Sequence, residues 1–542
     1  MPRSSPRPFS PRRARAVAAL AILLAALVAG LIAVLVSPGS ARAEPGPESI
    51  FQDDDHLLYA PDATVLDTLG VLKSLGVDRI RVTVKWSLIA PQPATTVRPP
   101  NFNAADPGAY PAAAWAPYDR LLRMAAQDGI GVNFDLTAPG PLWAMKGNPP
   151  DQKSADHYAP SVAEWRQFVQ AVGTRYSGSY AGQARVDYWS IWNEPNQPGW
   201  LAPQRRVVHG RRVLNSARLY REYADAAIRG LAATGHSVRS DTVLVGELAP
   251  EGSGNAIQNP VSPMPFLRAM YCVGEDYQRL RGSAASALGC PRDGSARAFV
   301  NANPALFQAT GFAHHPYYFL LAPNQLSDNV DFAPLANLSR LEGGLDRIFR
   351  LYGVHRRIPI YLTEYGYQTN PPDPFQVVTP ALQALYLNEA DYLAWRDSRV
   401  RSVAQFLLYD ALPDSRYPPS SFKYWDTFQT GLLYAPSGQP KPAFAAYRLP
   451  VWLPSTHTTG GGSLFVWGQL RPAPDATRQQ ALIQWRRRGG HYRTIATVTV
   501  PASSPEGYFT TRVRPPGTGL LHIAWRGPAG LIASRGVPIT VG

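Results

Sequence analysis

The stretch DYWSIWNEPNQPGW, residues 187–200, determines how the rest of the chain is interpreted. Its first half is aromatic and apolar up to Trp192, a composition typical of a buried β-strand. Pro195 has no backbone N–H and cannot continue a strand ladder, so the strand must end before it. Asn193 and Glu194 therefore directly follow the carboxyl end of a predicted strand.

A second stretch places another carboxylate in the same way. The run IPIYLTEYGYQT, residues 358–369, is apolar and β-branched at its start, and Glu364 stands where that run ends. If both strands belong to one barrel of parallel strands, their carboxyl ends open onto the same mouth. We therefore expect Glu194 and Glu364 to lie on one rim although they are far apart in sequence.

The alternation of strand and helix patterns predicts that barrel. Short apolar runs and amphipathic segments alternate between residues 50 and 449, as they do when helices connect parallel strands. Eight strands are predicted at residues 57–59, 80–84, 131–136, 186–191, 243–246, 311–314, 358–363 and 403–409. Helices are predicted at residues 64–75, 118–127, 162–176, 217–233, 341–352 and 380–398, with a weaker candidate at 265–280.

This pattern predicts an α/β fold, a (β/α)8 TIM barrel over residues 44–450. A doubly wound open sheet is the alternative, but no Gly-x-Gly-x-x-Gly sequence follows the first predicted strand. From residue 451 onward no helical pattern occurs. Strand-like runs there are separated by Gly/Pro turns, at residues 464–467, 480–486, 494–500, 508–513, 520–525 and 536–541. Residues 451–542 are therefore predicted to form a small all-β sandwich.

The amino terminus has the pattern of an export signal. Residues 1–43 combine an arginine-rich start, an apolar run at 17–36 and Ala41-Arg42-Ala43 as a cleavage site. The apolar run is also long enough to span a bilayer, so an uncleaved N-terminal anchor is the alternative. In either case we expect the remaining chain outside the cytoplasm, secreted or anchored to the membrane.

The cysteine content fits an exported protein. Cys272 and Cys290 are the two cysteines of the chain, and an even pair in an oxidising compartment predicts a disulfide. Two unpaired buried thiols are the alternative. There is no C-x-x-C motif and no histidine-rich tract, so the sequence predicts no metal site. It predicts no other cofactor either.

The positive charge of the chain is concentrated at its ends. The formal net charge is +14, and residues 451–542 hold ten arginines against Asp475 and Glu506. Such a basic region favours association with anionic polymers or lipid headgroups at the cell surface, although solvated surface arginine is the simpler explanation. Nucleic-acid binding is disfavoured because no recognition motif accompanies the charge. We expect a monomer.

The two glutamate motifs together resemble those of glycoside hydrolase clan A. IWNEPN after the fourth predicted strand and LTEYG after the seventh are most similar to its family thirty-nine and to its cellulase-like family five, in an exported protein of actinobacterial type. The resemblance implies that Glu194 is the acid/base residue and Glu364 the nucleophile. It also implies that Asn193 binds the sugar 2-hydroxyl.

Weaker matches extend the resemblance over residues 50–450 and leave the basic tail unmatched. RIRVTVKW resembles the second strand of the clan, which implies an arginine under the nucleophile, at Arg81 or alternatively Arg79. HHPYY resembles the sixth strand, and its His315 or Tyr317 is expected to hydrogen-bond near the nucleophile.

The eighth predicted strand departs from the pattern of the clan. Many members have a tryptophan at its end, but here the run FLLYDAL has Tyr409 and Asp410. Trp425, in the following loop, is the candidate replacement. Trp143 and Tyr365 are further aromatic candidates for stacking on a sugar face, each of them equally consistent with ordinary packing.

Two carboxylates facing each other across a cleft are suited to glycosidic bond cleavage. We therefore predict a retaining glycoside hydrolase that cleaves a polysaccharide or oligosaccharide by double displacement. The alternatives are a non-catalytic carbohydrate-binding or cell-envelope protein on the same barrel, and a transglycosylase. Three further acids near strand ends compete for a role at the site or bind hydroxyls: Asp135, Glu247 and Glu251.

Overall fold

The computed structural model describes residues 46–528 and 530–542. The predicted signal peptide or anchor, residues 1–43, lies outside these residues. Among the described residues, no helix combines the length and the apolar character needed to cross a membrane.

The amino-terminal part of the described chain contains ten strands. They are β1 Glu48–Gln52, β2 Arg79–Lys85, β3 Gly131–Thr137, β4 Tyr188–Ile191, β5 Arg205–Val208, β6 Arg211–Leu214, β7 Thr242–Leu248, β8 Gly311–His314, β9 Ile360–Leu362 and β10 Val400–Phe406. Strands β5 and β6 form a separate antiparallel hairpin. The other eight close into a parallel barrel in the order β1-β2-β3-β4-β7-β8-β9-β10, which confirms the predicted fold.

Helices surround the barrel between its strands. They are α1 Asp54–Leu57, α2 Asp62–Leu75, α3 Trp86–Ile89, α4 Ala112–Asp128, α5 Val162–Arg175, α6 Asn215–Ala232, α7 Pro263–Met270, α8 Gly282–Ala287, α9 Ala296–Ala302, α10 Ala305–Gln308, α11 Leu338–Leu351, α12 Pro380–Arg396 and α13 Pro442–Arg448. Local sequence marks several ends. The hydroxyl of Thr379 accepts from the backbone N–H of Leu382, with Pro380 at the first turn of α12.

The first predicted strand is wrong. Residues 57–59 belong to the end of α1 and the turn after it, whereas β1 is the preceding segment Glu48–Gln52. The Asp53 carboxylate caps α1 by accepting from the backbone N–H of His56, which favours a helical turn over a strand. Leu57 and Leu58 are buried by that turn.

The eighth strand begins and ends three residues earlier than predicted. β10 spans Val400–Phe406, and Leu407 has a left-handed backbone with φ of 72° that ends the ladder. The backbone N–H groups of Leu408 and Tyr409 instead donate to the Asp53 carboxylate. The other six predicted barrel strands are confirmed, with ends that differ by a few residues.

The interior of the barrel is layered. Five residues from β1, β4, β7, β8 and β10 form a small apolar cluster inside it: Ile50, Tyr188, Leu244, Ala313 and Ala404. Closer to the carboxyl ends of the strands the inward side chains are charged, among them Arg81, Asp135 and Glu247, all fully buried. The apolar layer thus supports a polar layer directly under the mouth.

The carboxyl-terminal part is all-β, as predicted. Its strands are β11 Val451–Trp452, β12 His457–Thr458, β13 Leu464–Gln469, β14 Gln479–Arg486, β15 Arg493–Val500, β16 Tyr508–Val513, β17 Gly519–Gly527, β18 Gly530–Ala533 and β19 Val537–Val541. One sheet has the order β11-β13-β16, and the other has the order β12-β19-β17-β14-β15 with β18 beside β17. Side chains of both sheets share one apolar core, which makes a sandwich.

The sandwich packs on the barrel through a few large side chains. Trp467 of β13 contacts Tyr392 and Trp395 of α12. Arg471 is buried and donates to the Asp391 carboxylate at 3.1 Å. Because of such contacts, residues 46–542 form one compact unit. The domain boundary between residues 450 and 451 stays a prediction.

Candidate active site

The two glutamates singled out from the sequence meet at the mouth of the barrel. Glu194 follows β4 and Glu364 follows β9, so both lie just beyond the carboxyl ends of their strands. A carboxylate oxygen of Glu194, one of Glu364 and a ring nitrogen of His315 all lie within 4.8 Å of one another. The fold therefore brings together the acidic pair that the motifs predicted.

The backbone around Glu194 is held in an unusual conformation. Trp192 and Glu194 have positive φ values of 66° and 37°, which L-residues rarely adopt. Two hydrogen bonds hold this turn: the Asn193 N–H donates to the Thr137 hydroxyl at 3.0 Å, and the Glu194 N–H donates to the Glu247 carbonyl at 3.0 Å. The indole of Trp192 is fully buried and anchors the segment.

Arg81 lies under the pair and is fully buried. Its Nη1 donates to Glu364 Oε1 at 2.7 Å, and its Nη2 donates to Asn193 Oδ1 at 2.8 Å and to Glu247 Oε2 at 3.2 Å. The same Nη2 is 3.1 Å from Asp135 Oδ2. Burial by itself lowers the pKa of the guanidinium, but the surrounding carboxylates outweigh it and raise that pKa above its usual value.

His315 bridges the carboxylates from below. Its Nδ1 is 2.9 Å from Glu194 Oε1 and 3.5 Å from Glu364 Oε2, and its Nε2 is 2.9 Å from Glu247 Oε2. Burial opposes the charge on the ring, but the three carboxylates prevail and raise the pKa of His315 to about 10. The ring is therefore an imidazolium at neutral pH and donates from both nitrogens.

Tyr317 completes the surroundings of Glu364. Its hydroxyl donates to Glu364 Oε2 at 3.3 Å, on the carboxylate oxygen that Arg81 does not contact. Tyr365 packs behind Tyr317 with ring centroids 6.1 Å apart, and its hydroxyl donates to Tyr367. Tyr317 therefore contacts the Glu364 carboxylate directly, whereas Tyr365 packs against the ring of Tyr317.

Glu247 and Asp135 are acids whose part in the site the sequence left undecided. Both are fully buried beneath the mouth. Burial would raise the pKa of Glu247, but Arg81 and His315 outweigh it and lower that pKa to about 2. Burial does raise the pKa of Asp135, to about 8, against the opposing charge of Arg81. At neutral pH Glu247 is therefore ionised and Asp135 is mostly protonated.

A cleft of about 490 Å³ opens over the pair. Its described lining includes Asn193, Glu194, Tyr317 and Glu364 from the predicted site. It also includes residues that the sequence did not single out for the site: Gln52, Asp54, Asp55, Tyr59, Thr83, Lys85, Gln197, Phe319, Phe406, Leu407 and Phe428. For Asp54, Asp55 and Tyr59 the sequence did contain a signal, the run DDDHLLY directly after β1. Residues that follow a barrel strand face the mouth.

Three predicted aromatic residues lie outside the set of described residues that line the cleft: Trp143, Tyr365 and Trp425. Trp143 is buried against Trp86 and Phe102, and its indole N–H donates to the Pro91 carbonyl. Trp425 stands in a loop, where its indole N–H donates to the Pro419 carbonyl. Trp143 is therefore packed among aromatic side chains, and a sugar contact of Trp425 stays a prediction.

Tyr409 and Asp410, which stand after the eighth strand in place of a tryptophan, both contact other parts of the protein. Asp410 is buried and pairs with Lys441 at 2.6 Å, and Tyr409 stacks on His56. Neither residue lines the cleft among the described residues. Phe406, Leu407 and Phe428 do, so apolar side chains from this region form part of the wall.

The predicted disulfide between Cys272 and Cys290 is present. It joins the end of α7 to the segment after α8, and Arg221 donates to Cys272 Sγ at 3.2 Å. The bridge lies in the segment between β7 and β8, and neither cysteine is among the described residues that line the cleft.

Two groups of side chains bring possible metal-binding atoms within 4.8 Å of each other among the described residues. The first is Glu194, His315 and Glu364, where the protonated imidazole has no free lone pair to offer a metal. The second is Asp78, Asp475 and Glu506, where the sandwich meets the barrel. Burial, Asp78 and Asp475 raise the pKa of Glu506 to about 9, so this carboxyl is protonated at neutral pH.

No family model matches the chain, and no curated protein matches it in sequence. Solved structures that resemble it include an exo-β-1,4-mannosidase from Opitutaceae bacterium strain TAV5, with 14% identity and a TM-score of 0.40 over 74% of this chain. That match spans 58% of the mannosidase, which is less than two thirds of its length. A GH5_18 protein from Streptomyces cattleya, in complex with GlcNAc, is 15% identical with a TM-score of 0.45, covering 75% of this chain and 79% of that one.

A GH5_18 protein from Bifidobacterium longum subsp. infantis is 14% identical with a TM-score of 0.43, over 74% of this chain and 78% of that one. Two of these three neighbours are thus named as GH5_18 proteins, and the third is named as an exo-β-1,4-mannosidase. At these identities and TM-scores, the activity of this chain must be inferred from its own site.

Proposed function

We propose that the protein is a retaining glycoside hydrolase that acts on an oligosaccharide or polysaccharide. The observation that carries the proposal is the approach of Glu194 and Glu364 to within 4.8 Å on one rim, over a cleft of about 490 Å³. Two ionised carboxylates at this distance repel each other, so the pair needs positive charge nearby. Arg81 and His315 supply the positive charge that lets them share the site.

The separation of the carboxylates favours retention of anomeric configuration. In retaining enzymes the two carboxyl groups are about 5 to 5.5 Å apart, whereas inverting enzymes leave about 6.5 to 9.5 Å for a water molecule between them. One carboxylate oxygen of Glu194 and one of Glu364 lie within 4.8 Å of each other, which is closer to the retaining separation than to the inverting one. Direct attack by one glutamate on the sugar is therefore the reaction that fits the site.

In the first step a carboxylate oxygen of Glu364 attacks the anomeric carbon, and the bond from that carbon to the leaving oxygen breaks. Glu194 transfers a proton to the departing oxygen. Arg81 and the hydroxyl of Tyr317 each hold one oxygen of Glu364, so the nucleophile is oriented before substrate arrives.

In the second step water attacks the anomeric carbon of the glycosyl-enzyme. Glu194, now ionised, accepts a proton from that water, and the ester bond to Glu364 breaks. His315 donates to Glu194 at 2.9 Å and so stabilises the carboxylate that forms after the first step. Transfer to a second sugar instead of water would make the protein a transglycosylase with the same residues.

The location that we propose is outside the cytoplasm. The disulfide Cys272–Cys290 supports it because such bonds persist in oxidising compartments. Cleavage of the export signal, association of the basic sandwich with the cell surface and the monomeric state stay predictions.

A panel of 4-nitrophenyl glycosides tests the proposed activity. We expect wild-type protein to release nitrophenol from at least one sugar, with the first sugar product in the configuration of the substrate by NMR. Glu364→Gln should reduce the rate to background, and Glu194→Gln should lower it by about 10² to 10⁴. Glu164→Gln, at a glutamate outside the cleft, is the matched control. A product of opposite configuration would exclude the retaining mechanism, and a lack of activity on all sugars and polysaccharides would favour a binding protein.

A further inference from the structure

A third glutamate stands on the far side of His315 from the acidic pair. Glu247 Oε2 is 2.9 Å from Nε2 of His315, and Glu194 Oε1 is 2.9 Å from Nδ1 of the same ring. The imidazole thus lies between two carboxylates, one at the rim and one fully buried beneath it. Glu247 is absent from the described lining of the cleft, where Glu194 and Glu364 stand.

The backbone at Glu247 adopts a conformation that residues other than glycine rarely adopt. The pairing of β7 with β8 shifts register between Gly246 and Leu248, which is the mark of a bulge at Glu247. Glu247 has a positive φ of 49°, and Gly246 has a φ of 110° that suits glycine. Bulges of this kind redirect one side chain and are common beside active sites.

Glu247 contacts Glu194 in a second way, through its backbone. The Glu194 N–H donates to the Glu247 carbonyl at 3.0 Å. The same residue therefore fixes the backbone of Glu194 directly and fixes its carboxylate through His315. Thr363, the residue before Glu364, donates from its hydroxyl to Glu247 Oε2 at 2.6 Å and holds that oxygen in place.

We propose that Glu247 is a positioning residue that acts on Glu194 through His315, by holding Nε2–H of the ring so that Nδ1–H is directed at Glu194. This inference rests on the proposed function, because it concerns how Glu194 is held for its role as the acid/base residue. A buried carboxylate that fixes the orientation and protonation of an imidazole has the same logic in the catalytic triad of serine proteases. Here the imidazole serves a carboxyl group rather than a hydroxyl.

The charges around the ring agree with this role. His315 faces Glu194 from the β4 end, Glu247 from β7 and Glu364 from β9, and its neighbour His314 is buried with its pKa lowered to about 4. Glu247 in turn faces Arg81, with Asp135 on the other side of that guanidinium. Because Asp135 is mostly protonated at neutral pH, Glu247 is the fully buried anion that faces His315, in addition to Glu364 and Glu194 at the mouth.

The first test measures the ring itself and does not depend on activity. The imidazole ¹⁵N signals of His315, assigned by their loss in His315→Gln, should show the doubly protonated form from pH 5 to 8 in the wild type. In Glu247→Gln the pKa of the ring should fall, so that His315 loses its proton at a lower pH than in the wild type. Thr363→Val, which removes a hydrogen bond to Glu247 but keeps its charge, should retain the wild-type signals. An unchanged His315 in Glu247→Gln would overturn the proposal.

The second test separates acid catalysis from other losses. Phenyl glycosides need a proton on the leaving oxygen, whereas 2,4-dinitrophenyl glycosides do not. With the sugar that the wild type hydrolyses, Glu247→Gln should lower kcat/KM about 100-fold or more for the phenyl glycoside and less than about tenfold for the dinitrophenyl glycoside. An equal loss on both substrates would mean a merely structural role.

A further variant covers the case that Glu247→Gln does not fold. Glu247→Asp keeps the negative charge but shortens its reach to Nε2, so a smaller loss with the same selectivity for the phenyl glycoside is expected. Equal losses on both substrates in this variant would overturn the proposal. If the wild type hydrolyses no glycoside, the proposed function fails, and the ring titration still decides whether Glu247 controls His315.

Discussion

Arg81 and Glu364 are 283 positions apart in the chain, yet Nη1 of Arg81 donates to Oε1 of Glu364 at 2.7 Å inside the barrel. The guanidinium also meets Glu247 at 3.2 Å and Asp135 at 3.1 Å, and none of its surface is exposed. One buried cation thus holds together acids from three other strands. The stability of the barrel and the geometry of its mouth therefore depend on the same side chain.

Replacing Arg81 by methionine should be strongly destabilising. It leaves buried carboxylates without their counter-charge, and breaking a buried ion pair from one side costs about 3 to 5 kcal/mol. Urea unfolding at neutral pH measures the change. Arg98→Met removes a more exposed arginine from its pair with Glu164 and should cost about 0 to 1 kcal/mol. Equal losses in the two variants would contradict the role given to Arg81.

Asp135 should make the protein less stable as the pH rises. Its folded pKa of about 8 lies above the ordinary value of 3.8, so the native state holds an extra proton between those values. The stability from that proton is complete below about pH 4 and is lost as the pH rises towards 8, with a slope of at most about 1.4 kcal/mol per pH unit.

Unfolding free energies of Asp135→Asn at pH 5 and pH 7.5 test this expectation. The amide cannot ionise, so the decline between the two pH values should be smaller than in the wild type. Asp187→Asn, at an exposed aspartate, is the control for loss of an acid elsewhere. If Asp135→Asn declines as steeply as the wild type, Asp135 is not the group responsible.

The cleft wall should matter for substrate binding where the structure places it. Phe428 lines the cleft, and removing an aromatic face worth about 0.5 to 1.5 kcal/mol should raise KM about 2- to 10-fold in Phe428→Ala. Trp425→Ala is the matched control because Trp425 is three positions away and outside the lining. A larger increase in KM for Trp425→Ala would mean that Trp425, and not Phe428, contacts the sugar.

The disulfide should stabilise the fold without affecting the reaction. Cys272 and Cys290 are 18 positions apart, and closing a loop of that size contributes about 3 kcal/mol by restricting the unfolded chain. The double variant Cys272→Ser/Cys290→Ser should lose about that much in urea unfolding while its kcat stays unchanged. A large loss of kcat at full stability would indicate that this segment shapes the cleft.

Much of the fold was predictable because the barrel strands are regular and apolar. The error at the first strand has a physical reason: β1 is a five-residue segment before three aspartates, and Leu57 and Leu58 are buried by a helical turn instead. The eighth strand was predicted three residues too late because the chain turns at Leu407 with a positive φ, and no glycine marks that turn in the sequence.

The site was predictable where a motif coincides with a strand end, as at Glu194 and Glu364. Arg81, His315 and Tyr317 also lie where the resemblance implied. The contacts of Glu247 with Arg81, His315 and Thr363 were not predictable from the sequence. They depend on the bulge at Glu247 and on residues that belong to or follow three other strands. Trp143 shows the converse, since a sequence does not distinguish an aromatic wall from aromatic packing.

Trapping of the covalent intermediate tests the central claim most directly. A 2-deoxy-2-fluoro glycosyl fluoride of the sugar that the wild type hydrolyses should slow breakdown of the glycosyl-enzyme and leave it bound. Peptide mass spectrometry should then find one fluorosugar on Glu364, and Glu364→Gln should carry none. An adduct on another residue, or inactivation-free turnover with no adduct at all, would contradict the assignment of Glu364 as the nucleophile.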